Sequence, residues 1–374
     1  MSVRLKDTFE GKSVFITGHT GFKGAWLSFW LSEMGAEIFG FSLGDTMPDK
    51  SLYASLSISN RIKNDYFGDI RDFDSLKKEI NLAKPDFIFH LAAQPLVRHS
   101  YNFPTQTYST NVTGTINLLE ALRDLGRQCV VIVVTTDKCY ENMDDGRSFI
   151  ETDALGGHDP YSSSKACAEI VVSSWRNSFF YSSGILVASA RAGNVIGGGD
   201  WSADRIVPDA VRSLIQELPI EVRNPKYVRP WQHVLDPLNG YLQLAHMIFQ
   251  QATINLEGAR SLCTAFNFGP KESSNQTVEV LVNEILSTWN GKWVDKSSVS
   301  EVHEASLLNL DITKASDLLN WHPVWEFKNA VLETINWYKM VCSENKNAAE
   351  YARRNISKFE DAKKITNFHD SKFD

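Results

Sequence analysis

The amino-terminal half of the chain alternates short apolar runs with longer segments of helical periodicity. The apolar runs are typical of buried strands and cover residues 14–17, 37–41, 87–91, 130–135 and 185–190. The helical segments between them cover residues 25–34, 74–82, 107–125 and 161–180. Strands that alternate with helices predict an α/β fold with a parallel, doubly wound sheet.

The pattern changes after Asn194, where a run of three glycines and several proline-containing loops interrupt the alternation. A chain of 374 residues exceeds the usual size of one compact core, so we expect two domains. The larger would comprise residues 1–195 with a returning segment, 233–262, and the smaller residues 196–232 and 263–374. The polar tail from residue 344 is predicted to be a surface helix or a partly disordered end. The tryptophans predicted to lie in the core of the second half are Trp289, Trp293, Trp321, Trp325 and Trp337.

Three glycines, Gly18, Gly21 and Gly24, follow the first apolar run and lead into the first helical segment. A strand, a glycine turn and a helix form the context of a dinucleotide-binding fingerprint. Gly18 would permit the tight turn, Gly21 would let backbone amides approach a pyrophosphate, and Gly24 would let the helix pack on the sheet. A glycine-rich packing turn is the alternative. With its flanking elements, the motif predicts dinucleotide binding by a Rossmann sheet.

A tyrosine and a lysine four residues apart, Tyr161 and Lys165, begin a helical segment, and Thr136, Asp137 and Lys138 follow the strand before it. On a helix, Tyr161 and Lys165 share one face, so the ammonium is expected to lower the pKa of the phenol. Chance spacing on a solvated face is the alternative for the pair alone. A hydroxyl, a carboxylate and an ammonium at a strand end beside such a pair indicate redox chemistry coupled to acid–base elimination.

The composition narrows the functional classes. A net charge of −7 argues against a nucleic-acid surface. The apolar runs are far shorter than the about 20 residues that span a bilayer, and the first residues lack an apolar signal core, so we expect a cytoplasmic protein. The 5 cysteines are scattered and odd in number, which indicates reduced thiols. No cluster of Cys, His and carboxylates has metal-ligand spacing, and we expect no metal.

Ordered motifs along most of the chain resemble those of a known family. They lie at residues 17–24, 68–72, 90–98, 111–115, 135–138, 161–165, 191–201 and 228–234. On these motifs the chain resembles the extended short-chain dehydrogenase/reductases and, within them, the nucleotide-sugar 4,6-dehydratases. Segments 199–201 and 229–234 are more similar to the members that use CDP-glucose than to those that use dTDP-glucose.

The resemblance implies an NAD-dependent lyase that converts CDP-glucose into CDP-4-dehydro-6-deoxyglucose. The product would supply the 6-deoxy or 3,6-dideoxy sugars of a surface polysaccharide, such as the O-antigen of lipopolysaccharide. The resemblance also implies that NAD stays bound and that the intermediate is shielded from water, because the hydride taken from C4 returns to C6.

The resemblance also implies a role for each motif residue. Tyr161 would take the proton of the sugar 4-hydroxyl while the C4 hydride passes to NAD. Lys165 would keep Tyr161 ionised and contact the nicotinamide ribose, and Thr136 would hydrogen-bond the 4-oxygen. Asp137 would protonate the departing 6-hydroxyl. Lys138 completes the predicted catalytic set.

The implied binding residues fall into two groups. Those for the cofactor, in addition to Tyr161 and Lys165, are Gly18, His19, Thr20, Gly21, Phe22, Lys23, Gly24, Asp69, Ile70, Leu91, Ala92, Ala93 and Gln94. Those for the nucleotide diphosphate are Asn194, Arg205 and Arg229. A surface ion pair is the alternative for each arginine, and a plain loop residue is the alternative for His19.

Two departures from the family pattern leave questions open. The second predicted strand has no acid until Asp45 to bind an adenosine ribose, so NADP remains an alternative to NAD. Lys138 stands where the dTDP-glucose enzymes have a glutamate that removes the C5 proton. Lys138 would either act as a neutral base or stay charged and stabilise the enolate while another group takes the proton.

Other functions and an assembly state complete the expectations. A dehydratase for another nucleotide-hexose, a nucleotide-sugar 4-epimerase or decarboxylase, and an NAD-binding sensor or scaffold are the alternative functions. A homodimer is expected through the helices that begin near Thr107 and Tyr161. The apolar residues expected to contribute are Ile116, Leu119, Leu122, Ala168, Val171, Val172 and Trp175.

Overall fold

A seven-stranded parallel sheet forms the centre of the protein. The structure is a computed structural model and describes residues 4–44, 51–143, 146–297 and 308–370. The strands of the sheet are β1 (Ser13–Thr17), β2 (Glu37–Ser42), β3 (Asn64–Phe67), β4 (Phe87–His90), β5 (Cys129–Val134), β6 (Ile185–Arg191) and β7 (Ala265–Asn267). Their order is β7-β6-β5-β4-β1-β2-β3, and neighbouring strands are parallel. The predicted doubly wound Rossmann sheet is thereby confirmed.

Helices cover both faces of this sheet and form much of the second half. The longer ones are α1 (Phe22–Glu33), α2 (Phe73–Ala83), α3 (Gly114–Ala121), α4 (Pro160–Ser178), α5 (Ile206–Ile215), α6 (Leu235–Ile254), α7 (Val278–Thr288), α8 (Phe327–Tyr338) and α9 (Ala348–Asp370). Shorter helices lie at Leu5–Phe9, Leu52–Ser55, Val97–Asn102, Pro104–Tyr108, Leu256–Ser261 and Thr313–Leu319. Val130 and Val131 of β5 belong to hydrophobic clusters on opposite faces of the sheet, which explains why the predicted runs are continuously apolar.

The strand pattern predicted from the sequence matches five strands of the sheet and misses two. The missed strand β3 lies at the edge of the sheet, where its residues are half-buried or exposed and carry no apolar run. The missed strand β7 has three residues and pairs with β6 through Ala265 and Ser189. It begins just beyond the predicted returning segment, 233–262, because α6 is followed by a second short helix and a turn before the chain re-enters the sheet.

The predicted helix over residues 107–125 is not one regular helix. The chain forms a short helix at Pro104–Tyr108, a wider π-helical turn at Ser109–Thr113, and then α3. Asn111 in the wider turn is buried, and its side-chain amide bonds both the backbone of Gln94 and the hydroxyl of Ser164. The wider turn therefore faces the loop after β4, and π-bulges of this kind are frequent at functional sites.

One hydrophobic core joins the sheet to the second half of the chain. The cluster on one face runs from Val14 of β1 through Leu238 of α6 to Ile335 of α8 without a break. Small two-stranded pairs frame the second half, namely Ile220–Val222 with Trp293–Asp295, Val228–Pro230 with Asn275–Thr277, Val195–Ile196 with Gln232–His233, and Ser148–Phe149 with Asn309–Leu310. The second half is thus packed on the sheet rather than attached by a linker.

The tryptophans predicted to be core residues divide into two groups. Trp321, Trp325 and Trp337 are buried, whereas Trp289 and Trp293 are half-buried at the edge of the same cluster. Trp325 helps to hold α9 against α1, because the Phe359 ring of α9 lies 5.3 Å from the Trp325 ring and 5.9 Å from the Trp30 ring of α1.

The polar tail forms the helix α9, which is docked along one face. Its buried residues, Ala348, Ala352, Ile356 and Phe359, recur at helical spacing and pack into the main core. A sparse apolar stripe on a charged helix is a weak signal in the sequence. The stripe is nevertheless sufficient to dock α9, because α1 and the loop that contains Trp325 present an apolar surface to it.

Three further observations bear on the predicted class. Among the helices of the described residues, none combines the length and apolar character that crossing a bilayer requires. Within the same residues, the His, Cys, Asp and Glu side chains form no group of three or more suited to a metal ion. All five cysteines are free thiols, in agreement with their scattered spacing.

Candidate active site

A large cavity opens at the carboxyl ends of β1, β4, β5 and β6. It has a volume of about 640 Å³, and its walls come from both halves of the chain. The sheet contributes the turns after its strands, and the second half contributes Asp200 and residues 202–209 together with Glu221, Arg223, Asn224, Tyr227, Arg229 and Trp231. Ligands of doubly wound sheets bind at this edge, where the strand order reverses.

The glycine turn after β1 forms one wall of the cavity. Gly18 has a φ of +76°, and a Cβ there would lie 2.7 Å from the amide nitrogen of Ala92. A Cβ on Gly24 would lie 2.0 Å from the carbonyl oxygen of Gly18. Gly21 precedes the first residue of α1, so the free amides of that helix face the cavity. Backbone this close, without side chains, fits the pyrophosphate of a dinucleotide.

Two of the predicted cofactor residues do not line the cavity. The His19 side chain is buried behind the glycine turn, with its Nε2 2.7 Å from a carboxylate oxygen of Asp65 and its ring against Gly40. The Gln94 amide turns onto its own loop and donates to the carbonyl of Leu96 and the hydroxyl of Thr107. Each of these side chains is used to brace a turn, and contact of the two residues with a cofactor stays a prediction.

The remaining predicted cofactor residues line the cavity. They are Gly18, Thr20, Gly21, Phe22, Lys23, Gly24, Asp69, Ile70, Leu91, Ala92 and Ala93, together with Tyr161 and Lys165. Ser42 and Leu43 lie at the end of β2 beside them, and the Ser42 hydroxyl is 2.6 Å from that of Thr20. Asp45, on which the choice between NAD and NADP was considered, lies outside the described residues.

The turn after β5 brings Thr136, Asp137 and Lys138 into the cavity. Thr136 caps a 3₁₀ turn at Asp137–Cys139, and its hydroxyl donates to the Asp137 carboxylate at 2.9 Å. The same carboxylate lies against the bare backbone of Gly193, where a Cβ would come within 1.9 Å of it. The amide of Asn194 points at its other oxygen from 3.4 Å. Asp137 is thus buried and held from two sides.

Tyr161 reaches the cavity from the first turn of α4. The helix starts there because Asp159 caps the amide of Ser162 and Pro160 occupies the first helical position. Burial raises the pKa of Tyr161 to about 12, although a hydrogen bond with the Thr136 hydroxyl lowers it. The hydroxyl of Thr136 therefore contacts both Tyr161 and Asp137.

The expected effect of Lys165 on Tyr161 is absent from this structure. The Lys165 ammonium is buried and donates to the carbonyl of Val134 at 3.2 Å. Burial lowers its pKa to about 8. The prediction of a lowered pKa for Tyr161 is therefore wrong for the protein alone, because loss of water around the phenol outweighs the charges near it.

Several cationic side chains line the cavity close to the catalytic residues. Lys23 is half-buried at the start of α1, with its Nζ 3.3 Å from the Tyr241 hydroxyl, and loss of solvent followed by the charge of Arg205 lowers its pKa to about 7. Arg205 pairs with the buried carboxylate of Asp200 at 2.9 Å. The Arg229 guanidinium stands 5.3 Å from the centre of the Tyr227 ring. Lys23, Arg205, Arg229 and Asn194 all line the cavity, so they can surround an anionic ligand.

Sequence reasoning missed part of the lining. Arg98, Tyr101 and Thr110 enter the cavity from the short helices after β4 and the π-helical turn. Asp204 enters it from a loop of the second half, and Glu221 and Arg223 enter it from the strand Ile220–Val222 and the residue after it, in segments that carry no motif. Asp200 could have been found, because it lies in the Gly-Asp-Trp motif and precedes Arg205 by five residues.

Comparison with known proteins identifies the family of the chain. Residues 15–334 match the family model described as GDP-mannose 4,6 dehydratase. The CDP-glucose 4,6-dehydratase of Salmonella typhimurium is 44% identical over 342 residues, which is 89% of this chain and 92% of that protein.

Solved structures show the same fold at lower identity. The epimerase Mth375 of Methanothermobacter thermautotrophicus superimposes with a TM-score of 0.75 and 21% identity over 91% of this chain and 96% of that one. A dTDP-glucose 4,6-dehydratase of Streptomyces venezuelae, solved with NAD and TYD bound, superimposes with a TM-score of 0.73 and 23% identity over 87% of this chain and 96% of that one. The predicted resemblance is confirmed, and the chain belongs to the GDP-mannose 4,6-dehydratase family.

Proposed function

We propose that the protein catalyses the NAD-dependent 4,6-dehydration of CDP-glucose to CDP-4-dehydro-6-deoxyglucose and water. The observation that carries the proposal is the Thr136 hydroxyl, which contacts Tyr161 on one side and Asp137 on the other. A proton acceptor for C4 and a proton donor for the C6 hydroxyl therefore flank one sugar-sized space. The Salmonella typhimurium relative named CDP-glucose 4,6-dehydratase supports the choice of substrate.

The glycine turn fits NAD, because side chains at Gly18 and Gly24 would collide with neighbouring backbone and so prevent the tight turn and the close helix packing that place the first amides of α1 at the cavity. Thr20, Asp69 and Leu91 would line the rest of the bound NAD. Bound NAD would supply a hydride acceptor for C4 and a hydride donor for C6. Dehydratases of this fold solved with NAD support NAD over NADP.

Tyr161 would begin the reaction by accepting the proton of the 4-hydroxyl. Its phenol is protonated at neutral pH in the protein alone, since burial raises its pKa to about 12. Positive charge must therefore approach the phenol oxygen before it can act as a base. Lys165, one turn further along α4, is a cation that can provide that charge, in addition to Arg205, whose charge already lowers the pKa of Tyr161.

Asp137 would protonate the departing 6-hydroxyl once C4 is a ketone. The ketone acidifies the C5 proton, so elimination of water across C5 and C6 becomes possible. Gly193 and Asn194 hold the carboxyl of Asp137 in one place, which suits proton delivery to a fixed oxygen. A 4-epimerase or decarboxylase needs no acid at this position.

Lys138 would act at C5, and of its two possible roles we favour the cation that stabilises the enolate. Its side chain lines the cavity but is only half-buried, so water can solvate its ammonium. A neutral lysine base would need a fuller loss of solvent.

The substrate is tested by turnover on four nucleotide-glucoses. Purified protein with NAD is incubated with the CDP, dTDP, UDP and GDP forms, and the alkaline absorbance of the 4-keto-6-deoxy product is followed. We expect CDP-glucose to be turned over at least about 10-fold more efficiently than the others, equivalent to about 1.4 kcal/mol in the transition state. A 4-epimerised product, or none, would overturn the proposal in favour of an epimerase or an NAD-binding sensor.

Substitutions of Tyr161 and Asp137 should separate the two halves of the reaction. Tyr161→Phe keeps the ring but removes the proton acceptor, so C4 oxidation should slow by about 10²-fold or more. Asp137→Asn should leave hydride transfer possible and slow elimination, so rapid quench should detect a CDP-4-keto-glucose intermediate. Near wild-type oxidation in the first variant, or no intermediate alongside fully oxidised NAD in the second, would contradict these roles.

Replacement of Lys138 tests the removal of the C5 proton. Lys138→Met keeps an unbranched chain but removes the charge, so C5 exchange with deuterated solvent and elimination should both slow, while C4 oxidation continues. Lys138→Arg is the matched control, because it retains a cation that cannot act as a neutral base. Wild-type exchange in Lys138→Met would mean that Lys138 only supports the turn.

We further propose a homodimer through α4 and the helices after β4. Several residues named from the sequence, such as Leu119 and Val172, prove to be buried in the chain's own core. The exposed apolar residues on this side are instead Ile170 of α4 and Phe179, which follows its last residue. Tyr101 of the short helix Val97–Asn102 and Phe103 after it are also exposed. These residues are unusual on a free surface, which supports an interface.

Light scattering at micromolar concentration should report a particle of twice the chain mass. Ile170→Lys should convert it to monomer, because Ile170 is 57% exposed and an ammonium would be desolvated in an apolar interface. Ile254→Lys, at an 80% exposed position on α6, is the control. A wild-type monomer would refute the dimer.

The cellular setting is likewise a proposal. Five free cysteines support a reducing compartment, hence the cytoplasm. The product class fits a route to the deoxysugars of a surface polysaccharide such as the O-antigen. Cell fractionation with an antibody to the protein would test the compartment.

A further inference from the structure

A buried ion pair lies directly beneath the catalytic residues. Glu169 follows Lys165 by one turn of α4 and is only 4% exposed. Its oxygens accept hydrogen bonds from the Thr135 hydroxyl at 2.5 Å, the Ser189 hydroxyl at 2.7 Å and the Arg191 guanidinium at 2.8 Å. Burial opposes ionisation of Glu169, but the charge of Arg191 and these hydrogen bonds lower the pKa of the carboxyl below its ordinary value. Glu169 is therefore an enclosed carboxylate.

The partners of Glu169 belong to the segments that carry the catalytic groups. Thr135 immediately precedes Thr136, so its bond to Glu169 ties the turn after β5 to α4. Arg191 ends β6, two residues before the Gly193 backbone against which Asp137 lies.

The second arm of Arg191 reaches the far side of the same turn. It donates at 2.7 Å to the hydroxyl of Tyr140, two residues after Lys138, and the Tyr140 hydroxyl donates at 2.7 Å to Asn267 of β7. The guanidinium also lies over the Tyr140 ring, 4.8 Å from its centre. The ion pair thereby holds residues 135–140 from both ends.

Glu169 shares a face of α4 with Lys165, and its charge acts on the Lys165 ammonium, whose hydrogen bond goes to the neutral carbonyl of Val134. Burial lowers the pKa of Lys165 to about 8, while the charge of Glu169 raises it. Without that carboxylate, the lysine would lose its proton at a lower pH. Five other titratable or charged groups interact electrostatically with Lys165 or Glu169. They are Lys23 of α1, His90 of β4, Cys139 after Lys138, Arg176 of α4 and Arg191 of β6.

We propose that Glu169 is a positioning residue for C4 oxidation, with its carboxylate both keeping the Lys165 ammonium charged and anchoring the 135–138 turn to α4. This inference rests on the proposed function, in which Lys165 supplies the positive charge that Tyr161 needs. Glu169 does not line the cavity, so it acts on the substrate only through Lys165 and Thr135.

Glu169→Gln tests the charge while keeping the shape. Activity that needs charged Lys165 is lost as the pH rises through the pKa of that lysine. Removing the negative neighbour lowers this pKa, so the alkaline limb of the kcat profile should move to lower pH by about one unit, and kcat at pH 8, where half of the wild-type lysine is charged, should fall about 5-fold. The KM for substrate should change less than about 2-fold, because Glu169 contacts no ligand.

A matched control separates the shift of the alkaline limb in Glu169→Gln from a general effect of removing a buried carboxylate. Glu333→Gln removes a comparably buried acid of α8, which pairs with Lys358 at 2.7 Å away from the cavity. Its pH profile should match that of the wild type. Glu169→Asp retains the charge, so its alkaline limb should stay at the wild-type pH even if kcat falls.

Should Glu169→Gln fail to fold, Glu169→Gln with Arg191→Met removes both buried charges together and avoids an unpaired guanidinium. Its alkaline limb should move in the same direction by a smaller amount, since the repulsion between Arg191 and Lys165 is lost as well. An alkaline limb that stays at the wild-type pH in the single or the double variant would overturn the proposal.

A measurement without turnover separates this inference from the proposed function. In lysine-labelled protein, the Cε resonance of Lys165, assigned with Lys165→Met, is followed against pH by NMR. The midpoint should lie near pH 8 in the wild type and about one unit lower in Glu169→Gln. An unmoved midpoint would refute the role of Glu169, whereas a wild type that titrates as expected but forms no 4-keto product would refute only the dehydratase.

Discussion

Loss of water around ionisable groups is the constraint on which the rest of the site depends. Tyr161 and Lys165 are buried and Lys23 is half-buried at the carboxyl edge of the sheet, and loss of solvent shifts the pKa of each in the direction that favours the neutral form. An isolated charge in such a place is costly, so the fold must supply opposite charges or hydrogen bonds. The carboxylate of Glu169 and the guanidinium of Arg191 meet this need beneath the site.

The same edge of the sheet also requires a continuous core. The cluster that packs α1 against β1 extends through α6 and α8 to α9, so the walls from the second half rest on the same core as the glycine turn. Arg205 is placed by Asp200, and Asp200 lies in a loop whose backbone carbonyl accepts a hydrogen bond from Tyr338 of α8. Packing far from the cavity therefore decides where the diphosphate-binding charges stand.

Hydrogen bonds to the turn after β5 position the proposed catalytic side chains. The segment from Thr135 to Tyr140 is held by Glu169 at one end and Arg191 at the other. Thr136 and Asp137 sit between these anchors, and Gly193 leaves room for the carboxyl. Such preorganisation keeps a donor and an acceptor at a fixed separation without reorganisation during the reaction.

The sequence by itself determined the sheet class and the glycine turn and predicted a catalytic set, because strand periodicity and motifs such as Tyr161 with Lys165 are local signals. Tertiary structure decided side-chain partners, helix regularity and pKa values, which depend on residues far apart in the chain. It turned His19 behind the turn toward Asp65 and broke the predicted helix at Asn111. It also raised the pKa of Tyr161, although the spacing to Lys165 predicted the opposite. Burial and long-range hydrogen bonds join residues far apart in the chain, so their energies exist only once the segments have packed together.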